Sequence, residues 1–343
     1  MSAPAAWFCW CCILLASLLS GCSGIQTALD PAGSNAEAIH RLWLLLFWVC
    51  AAVWLLVLLA LLWAMLRRRG IHDLATTPEP QPHPSTERRI AGFVGVAIAV
   101  TVVTLIALTV VSYSAGRGLF SENGDGAVSV EVVGHQWWWE VRYLAPEPSD
   151  TFVGANEIHV PVGETVRLIL RADDVIHSFW VPNLNGKKDL IPGQVNVLYL
   201  SADRPGTFRG QCAEFCGAQH AHMALFVVAE PKENFAEWEQ KQRRPAKQPQ
   251  NAEQQRGQQV FLRAPCVMCH TIQGTIAGAT TGPDLTHIAS RLSIGAGRLP
   301  NTPGHLGGWI LDPQTPKPGN LMPPNLLPPE DFQALLAYLD SLE

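Results

Sequence analysis

Residues 212 to 229 read Cys212-Ala-Glu214-Phe-Cys216-Gly-Ala-Gln-His220-Ala-His222-Met223 and then Ala224-Leu-Phe-Val-Val-Ala229. The first part crowds sulfur and imidazole side chains together, and the second is a short apolar run typical of a strand. Gly217 sits inside the crowded part and the strand follows at once, so a helix sharing Cys212, Cys216, His220 and Met223 on one face is disfavoured. A loop that presents ligands is expected instead. His177 lies thirty-five residues before Cys212, in Val175-Ile-His177-Ser-Phe-Trp-Val181. Two thiolates, two imidazoles and a thioether form a soft donor set suited to copper. Tetrahedral zinc competes for two cysteines and two histidines, but it has no use for Met223, and the spacing is not that of a zinc finger.

Working outward, VSVEVV (128–133), QWWWEVRY (136–143), TVRLILR (165–171) and VNVLYL (195–200) alternate or are β-branched, with Gly, Pro, Asn and Asp between them. This pattern predicts an all-β sandwich or barrel from about 128 to 229. His135, His159 and His222 receive no ligand role, because a lone histidine in a β domain is usually a hydrogen-bonded packing residue.

The chain of 343 residues is 48% hydrophobic and only 15% charged, too apolar for an ordinary soluble protein. Leu42 to Leu66 and Ile90 to Gly116 are uncharged runs of twenty-five and twenty-seven residues, long enough to span a bilayer. Arg67, Arg68 and Arg69 close the first run and Arg88 and Arg89 precede the second, which places the loop between them in the cytoplasm and the rest outside. Leu19-Ser-Gly-Cys22 resembles a lipobox, so residues 1–21 are expected to be a lipoprotein-type signal peptide. A net charge of −5 without a basic tract argues against a nucleic-acid partner.

Residues 231–250 are polar and read as a linker with a short helix around Phe235 and Trp238. Beyond it, Cys266-Val-Met-Cys269-His270 is the C-x-x-C-H signature of covalent haem c, with His270 as an iron ligand. A redox-active disulfide is the alternative, but no βαβ pattern surrounds it. Phe332 to Leu342 predicts a closing helix, and the candidates for the second iron ligand are Met322, His287 and His305.

The loop 212–223, His177 in His-Ser-Phe-Trp-Val-Pro182, Gly134-His-Gln-Trp-Trp-Trp139 and Lys188-Asp-Leu-Ile-Pro-Gly193 together resemble subunit II of cytochrome c oxidase, and residues 251–343 resemble a small class I cytochrome c. The combination is similar to caa-type bacterial oxidases. The resemblance implies a multidomain protein: a two-helix transmembrane hairpin (22–118), an all-β cupredoxin-like sandwich (119–230), the linker, and an all-α cytochrome c domain. It implies that Cys212 and Cys216 bridge the two copper ions of the centre called CuA, with His177, His220, Met223 and the backbone carbonyl of Glu214 completing it. The Glu214 side chain would share a magnesium ion with subunit I. Cys266 and Cys269 would carry the haem, with His270 and Met322 as axial ligands. Trp137 matches the family's electron-accepting surface tryptophan, and Glu87 resembles a glutamate at the mouth of a proton channel.

The function so implied is electron relay from cytochrome c or another respiratory donor, through haem c and CuA, to subunit I, which reduces oxygen and pumps protons. Subunit III and membrane lipid are the other expected partners, at a bacterial inner membrane with both metal domains on its outer face. Two readings compete: the CuA subunit of a nitric oxide reductase, separable only by its partner, and a copper-handling lipoprotein, which has no use for a haem. Quinol oxidase relatives lack the copper ligands that this sequence keeps.

Overall fold

Both apolar runs become helices, α1 (Ser34–Arg68) and α2 (Pro84–Leu119), in a computed structural model that describes residues 24–68, 84–119 and 128–343. The signal peptide with Cys22, and the arginine-flanked loop between the helices, lie outside the described residues. The helices outrun the uncharged stretches because their flanks also favour helix: Glu37 and Glu87 lie in the first turns, where an acidic group meets the positive end of the dipole, and Pro84 needs no N–H there. Trp54, Leu56, Phe93 and Val103 are exposed on all sides of the two helices. A helix apolar all round is suited to lipid, and both are long and apolar enough to cross a membrane. Thr101, Thr109 and Ser114 return their hydroxyls to carbonyls four residues back, at 2.9, 2.7 and 2.8 Å. No hydroxyl of these three is left for water to satisfy. Residues 38–121 form one compact unit and the remainder forms a second.

In the second unit, two five-stranded sheets pack face to face. One has the order β3-β2-β1-β5-β8, from β1 (Val128–His135), β2 (Trp138–Leu144), β3 (Phe152–Ala155), β5 (Thr165–Ala172) and β8 (Asn196–Ser201). The other has the order β4-β10-β9-β6-β7, from β4 (Glu157–Pro161), β6 (His177–Trp180), β7 (Lys188–Leu190), β9 (Gly206–Cys212) and β10 (Ala224–Glu230). Alternation sets the faces: Val166, Leu168 and Leu170 of β5 are fully buried while Arg167 and Ile169 between them are not. They join Val130, Trp139, Ile158, Phe179, Phe208 and Leu225 in one core. The segment before α1 clasps this sandwich, with Arg209 N donating to Ile25 O and Asp203 N to Ala32 O, both at 2.7 Å.

The polar segment after the sandwich is packed against its neighbours. Lys232–Gln242 forms helix α3, which buries Phe235 and stacks Trp238 on His159 with ring centroids 4.0 Å apart. Farther along, Ala246 is buried and its N–H bonds to Gln273 O at 3.0 Å. The two aromatic side chains, three apart on one helix face, give the polar stretch a docking stripe, so it lies packed rather than loose.

The C-terminal part is built on α4 (Ala252–Arg263), α5 (Pro303–Leu311) and α6 (Pro329–Leu339), with a small ribbon of β11 (Ser293–Ile294) and β12 (Leu299–Pro300) added to the expected helices. Asn251 caps α4 by accepting from Gln254 N at 2.9 Å. α4 and α6 cross where Gly257 stands, and a Cβ there would lie 1.9 Å from Ala334 O. Phe261, Leu335, Tyr338 and Leu339 fill the core beside that crossing.

Candidate copper and haem centres

Strand pairing brings the copper candidates together. β6 starts at His177 and pairs with β9 through Phe179 and Cys212, so the distant histidine arrives beside the first cysteine. The loop after β9 turns at Gly217, whose φ of 115° suits glycine, and forms a 3-10 turn over His220–His222 before β10. Cys212 N donates to Met223 O at 2.9 Å and closes the loop.

The Sγ atoms of Cys212 and Cys216 lie 3.8 Å apart, and neither cysteine is disulfide-bonded. His177 Nδ1 is 3.9 Å from Cys212 Sγ, His220 Nδ1 is 3.7 Å from Cys216 Sγ, and Met223 Sδ is 3.8 Å from Cys216 Sγ. The Glu214 carbonyl points into the same place, 3.1 Å from Cys212 Sγ. His177, both cysteines and Met223 are buried. Soft donors converging on one buried point fit copper. The hydrogen bond between the two thiols draws Cys212 down and pushes Cys216 up. A cation bound between them would displace that proton.

A supporting layer surrounds these ligands. Asp174 Oδ1 accepts from His177 Nε2 at 2.8 Å, which leaves Nδ1 facing the sulfurs. Burial would raise the Asp174 carboxyl, but bonds from His177 and from the N–H groups of Val175 and Gln136 hold it below its ordinary range. Gln136 Nε2 and Trp137 Nε1 both donate to Cys216 O, at 2.7 and 3.0 Å. A Cβ on Gly134 would meet the His177 ring at 2.7 Å, so the ring also needs glycine beneath it. Asp174 and Gln136 were not foreseen from the sequence. The one signal for Asp174 is its place three residues before His177.

Glu214 extends its carboxylate toward Lys187 Nζ at 3.8 Å. Glu87 is exposed in the first turn of α2. His135 bonds Glu140 at 3.2 Å, His159 lies between Glu157 and Glu230, and His222 bonds Gln219 at 2.7 Å.

The haem candidates line a cavity of about 370 Å³, which Cys266, Cys269, His270 and Met322 share. Neither of these cysteines is bonded to another sulfur. His270 Nδ1 donates to Pro283 O at 2.7 Å, so Nε2 is free to bind a metal. A Cβ on Gly282 would lie 2.8 Å from the His270 ring, which makes glycine part of the cradle. Arg291 also lines the cavity and donates to Asp284 O, offering a cation to an anionic edge. The residues present therefore fit a haem. His287 is engaged elsewhere, with Nδ1 3.0 Å from Glu343 O, and His305 bonds Thr302 Oγ1 at 2.8 Å, so neither lines the cavity. Gln136, Trp137, Trp138 and Asn156 of the sandwich form part of its wall.

The chain also matches known proteins in sequence. Residues 150–230 match the family described as cytochrome C oxidase subunit II, periplasmic domain, and residues 254–343 match cytochrome c. The chain is 36% identical to cytochrome c oxidase subunit 2 of Alkalihalophilus pseudofirmus, over 96% of this chain and 95% of that one. It is 27% identical to the subunit of the same name from Bacillus subtilis, over 97% and 98%. The periplasmic domain of subunit II of cytochrome oxidase from Bradyrhizobium japonicum is similar at 30% identity, covering 35% of this chain and 95% of its own, with a TM-score of 0.33. The chain belongs to the cytochrome c oxidase subunit II family, and its C-terminal part is a cytochrome c domain.

Proposed function

We propose that this chain is the electron-uptake subunit of a haem-copper oxidase, taking electrons from cytochrome c or another respiratory donor and delivering them to subunit I, where oxygen is reduced and protons are pumped. When bound, a covalent haem c and a two-copper centre supply the one-electron carriers. The chain's own residues hold and orient them. Cys266 and Cys269 would carry the haem, His270 and Met322 would bind its iron, and the Pro283 carbonyl fixes the ring of His270. Cys212, Cys216, His177, His220, Met223 and the Glu214 carbonyl would together hold the copper. Trp137 stands on the route between the two centres.

One observation carries this reading: Trp137 lines the haem cavity and bonds the backbone of Cys216. The helices α1 and α2 anchor the chain in a bacterial inner membrane, with both metal domains on the outer face and subunits I and III as neighbours. Glu214 would help hold a magnesium ion against subunit I, and Glu87 would stand near the mouth of a proton channel.

The test is electron paramagnetic resonance with optical spectroscopy on the copper- and haem-loaded chain. A seven-line mixed-valence copper signal beside a low-spin haem c band is expected. A four-line mononuclear signal would overturn the copper assignment.

A further inference from the structure

The loop between α5 and Met322 is stiffened by its own bonds. Asp312 accepts from the N–H groups of Gln314 and Thr315 at 3.0 and 3.2 Å, and Asn320 Nδ2 donates to Pro313 O and Lys317 O at 2.9 and 2.7 Å. From this rigid base Lys317 is directed inward and is only 2% exposed. Its Nζ donates to Trp137 O at 2.6 Å, across 180 residues of sequence, and to Gly295 O at 2.9 Å. No carboxylate comes within ion-pair distance of it among the described residues. Burying an amine without a counter-charge is costly, and burial draws this one down to about 7. Two backbone carbonyls, one from each domain, are its compensation.

Other contacts cross the same seam. Gln219 Nε2 donates to Pro318 O at 2.7 Å, Ala224 N to Ala296 O at 3.0 Å, and Leu292 N to Glu157 Oε2 at 2.9 Å. Gly297 lies so close to the sandwich that a Cβ there would be 2.8 Å from Ala224 Cβ. Trp137 is thus gripped from both sides, its carbonyl by Lys317 and its indole by the Cys216 backbone.

Building on the proposed relay, we propose that Lys317 is a positioning residue that latches the cytochrome c domain to the copper domain and holds Trp137 between the two centres.

The test uses the full chain, loaded with haem and copper in detergent, and compares it with Lys317→Met. Hydrogen exchange read by mass spectrometry should rise about tenfold or more over 219–226 and 292–298, the factor for losing two hydrogen bonds. Exchange within α4 and α6 should stay unchanged, and electron transfer from haem to copper after flash reduction should slow. Lys317→Gln, polar but shorter, should loosen the same amides. Unchanged exchange at the seam overturns the latch, and so does loss of protection throughout the haem domain. Seam exchange at the parental level with a shifted haem potential would assign Lys317 to the haem instead. Missing copper or haem signals in the parent chain would remove the relay reading, while the exchange data would still decide the latch.

Discussion

Trp137 and Cys216 are seventy-nine residues apart in sequence, yet the indole Nε1–H donates to the Cys216 carbonyl at 3.0 Å, next to a thiol that faces His220 and Met223. The expected outcome of Trp137→Phe follows from that contact. It keeps an aromatic face and removes the N–H, so stability should fall by about 1 kcal/mol. Transfer from haem to copper should slow by about an order of magnitude, equivalent to ~1.4 kcal/mol on the barrier. Flash photolysis with a copper resonance control separates loss of the path from loss of the metal.

Asp174 reaches the copper candidates by its hydrogen bond to His177 Nε2 at 2.8 Å. Asp174→Ala should lower copper affinity by about 10–100-fold, as expected when the partner of a ligating histidine is removed. Competition titration with a chelator measures it. Affinity equal to that of the parent would show that the ring is held by Gly134 and the surrounding core alone.

Gly282 leaves no room for a methyl group beneath His270. Gly282→Ala should push the ring off its bond to Pro283 and destabilise the domain by about 1–3 kcal/mol. The low-spin haem band should weaken in the optical spectrum, and the thermal midpoint should drop. The same change at Gly278, where a Cβ meets nothing within 4 Å, is the control.

His159 supplies a pH signature. Burial disfavours its charged form, but the bonds to Glu157 and Glu230 more than offset this and raise its pKa above the ordinary 6.5. The folded state therefore holds the proton more tightly than the unfolded state. The resulting stability is fully present below about pH 6.5 and is lost as pH rises through the raised value. Denaturant titrations from pH 5 to 9 should show this decline, and His159→Gln should flatten it. A slope of the opposite sign in the parent would mean that other groups dominate.

The fold and the two centres were unequally legible. Cys212 to Met223 and Cys266 to His270 are each set by a few bonds along the chain, so spacing points to them directly. His177 could be named from its residue type, but its place beside Cys212 is set only by the pairing of β6 with β9. Lys317 was invisible: a lysine in a proline-rich loop normally reads as solvated, and its partners lie 180 and 22 residues away. Helix α3 was half visible. Phe235 and Trp238 mark its stripe, but the surface they meet, Tyr143, Phe152 and His159, is assembled from three strands or strand ends that the segment cannot announce.

The seating of Trp238 on His159, together with the burial of Ala246, changes what the connecting segment is. It acts as a strut rather than a leash. A leash brings its cargo back by random search, at a rate that falls as the solvent thickens. A strut involves no search, so electron passage between the two domains should proceed at the same rate in water and in concentrated glycerol. Only uptake from the outside donor should feel the viscosity.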